Sequence, residues 1–182
     1  MAAAAAAAEF DCQKIIDKIK ERFKINGLES LLAVQSDKES EFFVELLDKT
    51  GATSLAHING NSFGNGTLYI ETLHRHGYGS NNSTKGAGLL LLDLVSCYAV
   101  QNNMQLTLVA MPNSVEEVAE NNMRLYKFYN NAGLKSNGPE RKAFGSRRKH
   151  YRTSANNLRR ALQNRYKGGA RQKGSKRRTR KL

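Results

Sequence analysis

The stretch Lys85-Gly-Ala-Gly-Leu-Leu-Leu-Leu-Asp-Leu-Val95 decides how this chain is read. Two glycines stand before an apolar run that continues through Cys97, Tyr98 and Ala99. Glycine accepts φ > 0 and lets the main chain come close to a neighbouring group. The run behind it has helical length and little polar relief, which predicts a helix buried on nearly all sides. A glycine-rich stretch from His76 to Gly88 that runs into a helix from Leu89 presents unpaired N–H groups at the positive end of the helix dipole, where a pyrophosphate is well held. The same pattern also suits a flexible turn before a core helix, so it needs support from elsewhere in the chain.

Outward from this stretch, strands and helices alternate. Upstream, Thr67-Leu-Tyr-Ile-Glu-Thr-Leu73 predicts a strand, preceded by an Asn- and Gly-rich loop over Asn59 to Gly66. Glu41 to Asp48 and Ser54 to Ile58 predict a hairpin joined by Lys49-Thr-Gly-Ala52, and Leu31 to Val34 a short strand. Ile15, Ile16, Ile19 and Phe23 predict an amphipathic helix over 10–24, ended by Asn26-Gly27. Downstream, Gln105 to Ala110 predicts a strand, and Pro112-Asn-Ser114 a turn that caps a helix from Val115 to Ala132, stopped by Gly133. The order implies an α/β domain with a mixed, mainly antiparallel sheet, flanking helices and a basic C-terminal extension. Past Gly138-Pro139 the pattern weakens. Ala143-Phe144 and His150-Tyr-Arg152 are strand fragments, and Ser154 caps a helix from Ala155 to about Tyr166 that carries Leu158, Leu162 and Tyr166 on one side. Three regions follow: a low-complexity arm over 1–9, a domain over 10–152, and a basic tail over 153–182 that is helical first and disordered from Gly168.

Charge divides the chain more sharply than hydropathy does. Of 182 residues, 29 are Lys or Arg and 16 are Asp or Glu. From Arg141 onward there are 17 basic side chains and no acidic one, so residues 1–140 carry a net charge of −4. The basic extension is drawn to polyanions and the body is not. Arg159, Arg160, Arg165, Lys167, Lys176, Arg177, Arg178, Arg180 and Lys181 are the candidate phosphate contacts, with Tyr151 and Tyr166 able to stack on unpaired bases. A solubilising or localising tail has the same composition, and no base-reading motif accompanies it. Nucleic acid or a nucleoprotein is the expected partner. No apolar run is long enough for a membrane-spanning helix, and Met1 to Ala8 lacks the basic leader and Leu-rich core of a secretory signal, so an intracellular, non-membrane protein is expected. Cys12 and Cys97, alone and far apart in sequence, predict reduced thiols; neither a disulfide nor a metal site is expected.

Support for the glycine stretch comes from Asn122-Met-Arg-Leu-Tyr-Lys-Phe-Tyr129-Asn-Asn-Ala-Gly133-Leu134. Asn122, Tyr126 and Tyr129 share one helical face, expected to border a cleft, while Leu125, Phe128 and Ala132 share the adjoining face, expected to turn to the core. Together, Gly86-Ala-Gly88 with Leu91-Leu92 and the Asn122–Leu134 segment resemble the two cofactor motifs of the GCN5-related N-acetyltransferase (GNAT) family. The resemblance covers about residues 67–134. Ser83 stands where that family usually has Gln or Arg, with Lys85 nearby as a compensating cation.

The resemblance implies acetyl-CoA in a splay between the strand ending near Leu73 and the parallel strand Gln105–Ala110. Main-chain N–H groups of Gly86, Ala87, Gly88 and Leu89 would hold the pyrophosphate, with Lys85, Asn122 and Tyr126 beside it. A free N–H near Leu73 would polarise the thioester carbonyl. Tyr129 would protonate the departing thiolate, and an amine acceptor of unknown identity would attack directly. Glu71 is the leading general base; strand alternation would turn it to the same side as Leu73. A solvent-facing strand carboxylate is an equal reading, and His57 and His74 are weaker candidates. The short N-terminal helical region implies a poorly enclosed acceptor side. Three functions are therefore expected in order: an N-acetyltransferase acting on a nucleic-acid-associated amine, a non-enzymatic acetyltransferase-like piece of a nucleoprotein such as a ribosome, and a small-amine acetyltransferase.

Overall fold

The structure is a computed structural model that describes residues 11–76, 86–110, 118–136 and 149–167. Its elements run α1 (Cys12–Lys20), β1 (Lys24–Asn26), α2 (Leu28–Leu32), β2 (Glu39–Leu47), β3 (Ser54–Phe63), β4 (Thr67–Arg75), α3 (Ala87–Gln101), β5 (Gln105–Ala110), α4 (Val118–Asn131), β6 (Lys135–Ser136), β7 (Lys149–Thr153) and α5 (Ala155–Lys167). The strands form one seven-stranded sheet ordered β1-β2-β3-β4-β5-β7-β6. Every neighbouring pair is antiparallel except β4 and β5, which run parallel. A parallel pair needs a crossover, and α3 supplies it.

One face of the sheet is covered and the other is open, and cross-strand register shows which residues go where. Phe42 lies opposite Gly60, which lies opposite Ile70; Ile70 pairs with Leu108, and Leu108 with Tyr151. This row, together with Val44, Ile58, Leu68 and Leu106, is buried beneath the helices. The central helix α3 packs on the strands and is flanked by α1 and α5. Every residue from Leu91 to Val100 is buried as a result. The other face carries Phe43, His57, Asn59, Asn61, Phe63, Tyr69, Thr72 and His74, and it keeps Phe43 and Phe63 48% and 53% exposed.

Several elements differ from the sequence reading. Leu28–Leu32 is a helix, not a strand over 31–34; the Ser30 hydroxyl accepts the N–H of Phe43 at 3.0 Å and so occupies the β2 edge that a strand would have paired. The Asn59–Gly66 loop is mostly strand, because β3 continues to Phe63 and only Gly64 to Gly66 turn. The amphipathic helix ends at Lys20 and its last predicted turn gives way to β1. The division at 152/153 also moves. Ala155, Leu158 and Leu162 of α5 are buried against the rest of the domain, so the helix belongs to the core and not to a separate tail. Helix α4, strand β7 and the Ser154-initiated α5 follow the reading closely. Ala143-Phe144, the polyalanine start and the segment from Gly168 lie outside the described residues. No described helix is long and apolar enough to cross a membrane.

Candidate functional site

Strands β4 and β5 are joined over only four pairs, from Thr67–Gln105 to Ile70–Leu108. Beyond that point β4 continues to Arg75 paired to β3, and β5 continues to Ala110 paired to β7. The two parallel strands thus part near the middle of the sheet, and the edge of β4 that faced β5 is released from the ladder.

The parting coincides with a bulge. On β3 Asn59 pairs with Thr72 and Gly60 with Ile70, so Glu71 is the extra residue. Gly60 permits it: a Cβ there would come within 2.0 Å of the Tyr69 carbonyl oxygen and 2.9 Å of the Phe42 ring. The bulge breaks the alternation that would have put Glu71 and Leu73 on one side. Leu73 stays on the covered face opposite Ile58, whereas Glu71 and Thr72 are exposed in succession. The expectation that Glu71 and Leu73 face the same way is therefore corrected. Glu71 instead reaches across the open face, where Asn59 and Asn61 donate to its carboxylate at 3.3 and 3.2 Å.

Helix α3 starts at the same place. Gly86 has φ 96° and caps the helix without a side-chain hydrogen bond. The first helical bond runs from Leu90 N–H to the Gly86 carbonyl, 3.0 Å, which leaves the N–H groups of Ala87, Gly88 and Leu89 as the orphan donors of the helix start. A Cβ on Gly88 would lie 3.9 Å from both Leu73 Cδ1 and Phe128 Cζ. The bare turn of α3, the end of β4 and helix α4 thus meet around one glycine.

On α4, Tyr129 is 7% exposed and its ring lies 4.8 Å from that of Tyr151 and 5.1 Å from that of Phe128. Burial, helped by Tyr151, pushes its phenol up to about 12, so it is a proton-bearing donor at neutral pH. Tyr126, one turn earlier, is half-buried against the same core. Lys85, Ser83 and the side chain of Asn122 lie outside the described residues.

The histidines cluster where the start of β3 pairs with the end of β4, with His57 and His74 on the open face next to the Ile58–Leu73 pair. His57 Nδ1 is 2.9 Å from His76 Nε2, and its ring is 5.4 Å from that of His74 and 5.6 Å from that of Phe43. Burial first, then the neighbouring His76 and His74, lower the His57 pKa. Among the described residues no group of His, Cys, Asp and Glu is arranged to hold a metal ion. Cys12 and Cys97 are both free and buried; the hydrogen bond with the Cys12 thiol, then burial, push Cys97 up, which keeps it unreactive.

Of the basic candidates, Arg159 and Arg160 are exposed on α5. Arg165 is turned inward. It forms an ion pair with Asp93 of α3 and donates through Nη1 to the Asn131 carbonyl at 2.7 Å. Tyr166 donates to the other oxygen of Asp93 at 3.0 Å. Arg165 is thus an anchor of α5 and is withdrawn from the set of phosphate contacts. Burial raises the Asp93 pKa, while Arg165 and Tyr166 oppose the rise. The lone acid of the Leu89–Val100 run was the sequence signal for this clasp, since an unpaired carboxylate is not kept in a core. The side chain of Lys167 and the run Lys176, Arg177, Arg178, Arg180 and Lys181 lie outside the described residues.

No protein-family model matches this chain, and no curated protein matches it significantly.

Proposed function

We propose that the chain is an acetyl-CoA-dependent N-acetyltransferase of the GNAT type that acts on an amine associated with nucleic acid or a nucleoprotein. The observation that carries this reading is the convergence on Gly88: an uncapped helix start, the parting of a parallel strand pair and the Tyr129 helix meet at one bare position. Each part has a use in acyl transfer from a thioester. The orphan N–H groups of Ala87, Gly88 and Leu89 suit the pyrophosphate of acetyl-CoA. The parting suits its pantetheine arm, which can pair with the released strand edges. A main-chain N–H near Leu73, on the β4 edge that β5 leaves, would suit the thioester oxygen, whose charge grows as the tetrahedral intermediate forms.

The two faces of the sheet divide the remaining work. Glu71 lies on the open face, where it takes the proton of an attacking amine. Tyr129 lies on the covered face, where the sulfur leaves. The amine then adds to the carbonyl carbon from the open side of the parting, and as the tetrahedral intermediate collapses the C–S bond breaks and the thiolate departs toward the covered side. A phenol near 12 is a weaker acid than a thiol at about 8.5. Tyr129 therefore acts by hydrogen-bonding the developing thiolate, and full proton transfer to sulfur comes from solvent. The exposed Arg159 and Arg160, with Lys167 and the cations of the Lys176–Lys181 run, supply the attraction to phosphates.

One observation favours a second reading, a non-catalytic acetyltransferase-like piece of a nucleoprotein: α2 has only five residues and leaves the acceptor face of the sheet bare. Calorimetric titration of the full chain with acetyl-CoA separates the two. Micromolar binding followed by acetyl transfer to amines of nucleic-acid-bound proteins is the expected result, and absence of binding sinks the enzymatic reading.

A further inference from the structure

Every second residue of β2 turns to the open face: Glu39, Glu41, Phe43 and Glu45 stand opposite Phe63, Asn61, Asn59 and His57 of β3. Glu71 of β4 joins this row by accepting from Asn59 and Asn61. Four carboxylates thus share the face with two half-exposed rings, Phe43 and Phe63. Among the described residues no Lys or Arg is ion-paired with any of the four. Their charge decides what can cover the rings. A neutral partner would strip water from the carboxylates and return nothing, and a polyanion is repelled. A cationic polypeptide pairs the carboxylates and lays its stems and charges on the rings.

The chain carries such a polypeptide itself. Gly168 to Leu182, which lies outside the described residues, has seven Lys or Arg and no Asp or Glu. Lys176, Arg178 and Arg180 recur at every second position, the spacing that Glu39, Glu41 and Glu45 keep along β2. An extended chain repeats every two residues at about 6.8 Å, on either partner. The point of departure also fits. Lys18 Nζ lies 5.8 Å from the ring of Tyr166, in the last turn of α5, and α1 leads into β1, which pairs with β2 at Glu45–Leu47. The chain therefore leaves α5 beside the Glu45 end of β2. Fifteen residues span at most about 50 Å, enough to round the sheet and follow β2 from Glu45 to Glu39, about 20 Å.

We propose that residues 168–182 dock in cis on the open face of β2 to β4, with their Lys and Arg side chains on Glu39, Glu41, Glu45 and Glu71. Each exposed pair is weak, so the contact is held by the number of pairs and by the tether, which keeps the segment at high local concentration. A polyanion competes for the same cations, and nucleic acid bound to the segment lifts it and uncovers the face. One consequence rests on the acyltransferase reading: the docked segment shields Glu71 until a polyanion is present.

The test is zero-length carbodiimide cross-linking of the full chain at low salt, with the linked peptides of the monomer fraction mapped by mass spectrometry. Lys173, Lys176 and Lys181 are expected to join Glu39, Glu41, Glu45 or Glu71 in preference to Glu21 and Glu29, which are exposed outside the sheet. Single-stranded oligouridylate is expected to cut these links about tenfold or more. The double variant Glu39→Gln, Glu41→Gln is expected to lower the links that remain at Glu45 and Glu71 about fivefold. If that variant does not fold, displacement by oligouridylate in the wild type carries the test. Links spread evenly over exposed carboxylates, or links that oligouridylate leaves unaltered, overturn the proposal. Links confined to a dimer fraction assign the face to the segment of a second copy and overturn docking within one chain. None of these readouts uses acetyl-CoA, so the outcome is separate from the fate of the acyltransferase reading.

Discussion

Helices α3 and α5 lie on the same face of the sheet and touch each other, yet they are secured in opposite ways. Helix α3 is buried on all sides from Leu91 to Val100, and its start is left without a side-chain cap. Helix α5 buries only Ala155, Leu158 and Leu162, presents Arg159 and Arg160 outward, and begins at Ser154, whose hydroxyl accepts the Asn157 N–H at 3.4 Å. Glycine in place of a capping side chain costs only about a few tenths of a kcal/mol. A helix held by burial on every side tolerates that cost, and its free donors remain available to a ligand. A helix on the outside has to secure its ends, and α5 does so with Ser154 at one end and the Asp93–Arg165 pair near the other. Helix α4 bridges the two: Phe128 approaches Gly88 at the start of α3, and the Asn131 carbonyl accepts from Arg165 of α5.

The contrast is broken hardest in that bridging helix. Tyr129→Phe keeps the ring packing on Tyr151 and removes the hydroxyl proposed as the donor to the leaving sulfur. Loss of one donor of this kind costs about 10²–10³ in kcat. Acetyl-CoA affinity is expected to stay within about twofold, since the ring remains. Steady-state kinetics with a paired calorimetric titration checks both halves, and an unchanged kcat leaves Tyr129 with a packing role only.

Cutting the link between α3 and α5 comes next. Asp93→Ala leaves Arg165 charged and mostly buried, with its side chain 19% exposed. Orphaning one member of a buried pair costs about 3–5 kcal/mol, and the residual exposure of Arg165 puts the expected loss near ~3. The double variant Asp93→Leu with Arg165→Met replaces the pair by apolar side chains and is expected to recover most of that stability. Urea denaturation of the three proteins decides it; equal stability of wild type and Asp93→Ala would mean that the pair holds nothing.

The start of α3 gives a smaller effect. Gly86 has φ 96°, where a β-branched residue is strained, and a side chain on Gly88 would fill the gap toward Leu73 and Phe128. The double variant Gly86→Val, Gly88→Val is expected to bind acetyl-CoA at least about tenfold more weakly, near 1.4 kcal/mol, while remaining folded. Changes of that size at the start of α5 should leave acetyl-CoA binding alone, which sharpens the difference between the two helix starts.

The smallest effect is expected outside both helices, on the open sheet face. The His57 pKa is lowered in the folded protein by burial and by His76 and His74, against a smaller opposite pull from Glu45. A group depressed in this way favours the folded state above its unfolded value of about 6.5, and the benefit fades as pH falls through that value. The melting temperature is therefore expected to drop between pH 7.5 and pH 5, and His57→Gln is expected to flatten part of that slope. A variant with the wild-type slope would clear the histidine cluster of any role in it.

Much of this architecture was readable from local pattern. The order from β4 through α4 follows from period and punctuation: Gly86 before an apolar run, Gly133 after an amphipathic one, and alternation in Gln105–Ala110. Leu28–Leu32 was misread because a short apolar run fits helix and strand equally well, and the choice was made by where Ser30 meets β2. The extension of β3 through Asn59-Gly-Asn61 was hidden because those residues read as a turn in isolation. Pairing with both β2 and β4 overrides that preference.

The sequence by itself determined the glycine-led approach to α3, the apolar interior of that helix, the separation of an acidic body from a basic extension, and the existence of α4. Each depends only on residues close together in the chain, whose spacing sets what they can do. Only the tertiary structure decided that Glu71 and Leu73 face opposite ways, that Arg165 is spent on Asp93, that α5 belongs to the core, and that Glu71 joins the carboxylates of β2 on one open face. Each of these depends on a partner far along the chain: Gly60 across a strand pair, a carboxylate 72 positions away, the neighbouring face of α3, and the Asn59 and Asn61 side chains of β3, which lies between β2 and β4. A bulge or a buried ion pair is a property of two segments brought together, and spacing within either segment carries no record of the other.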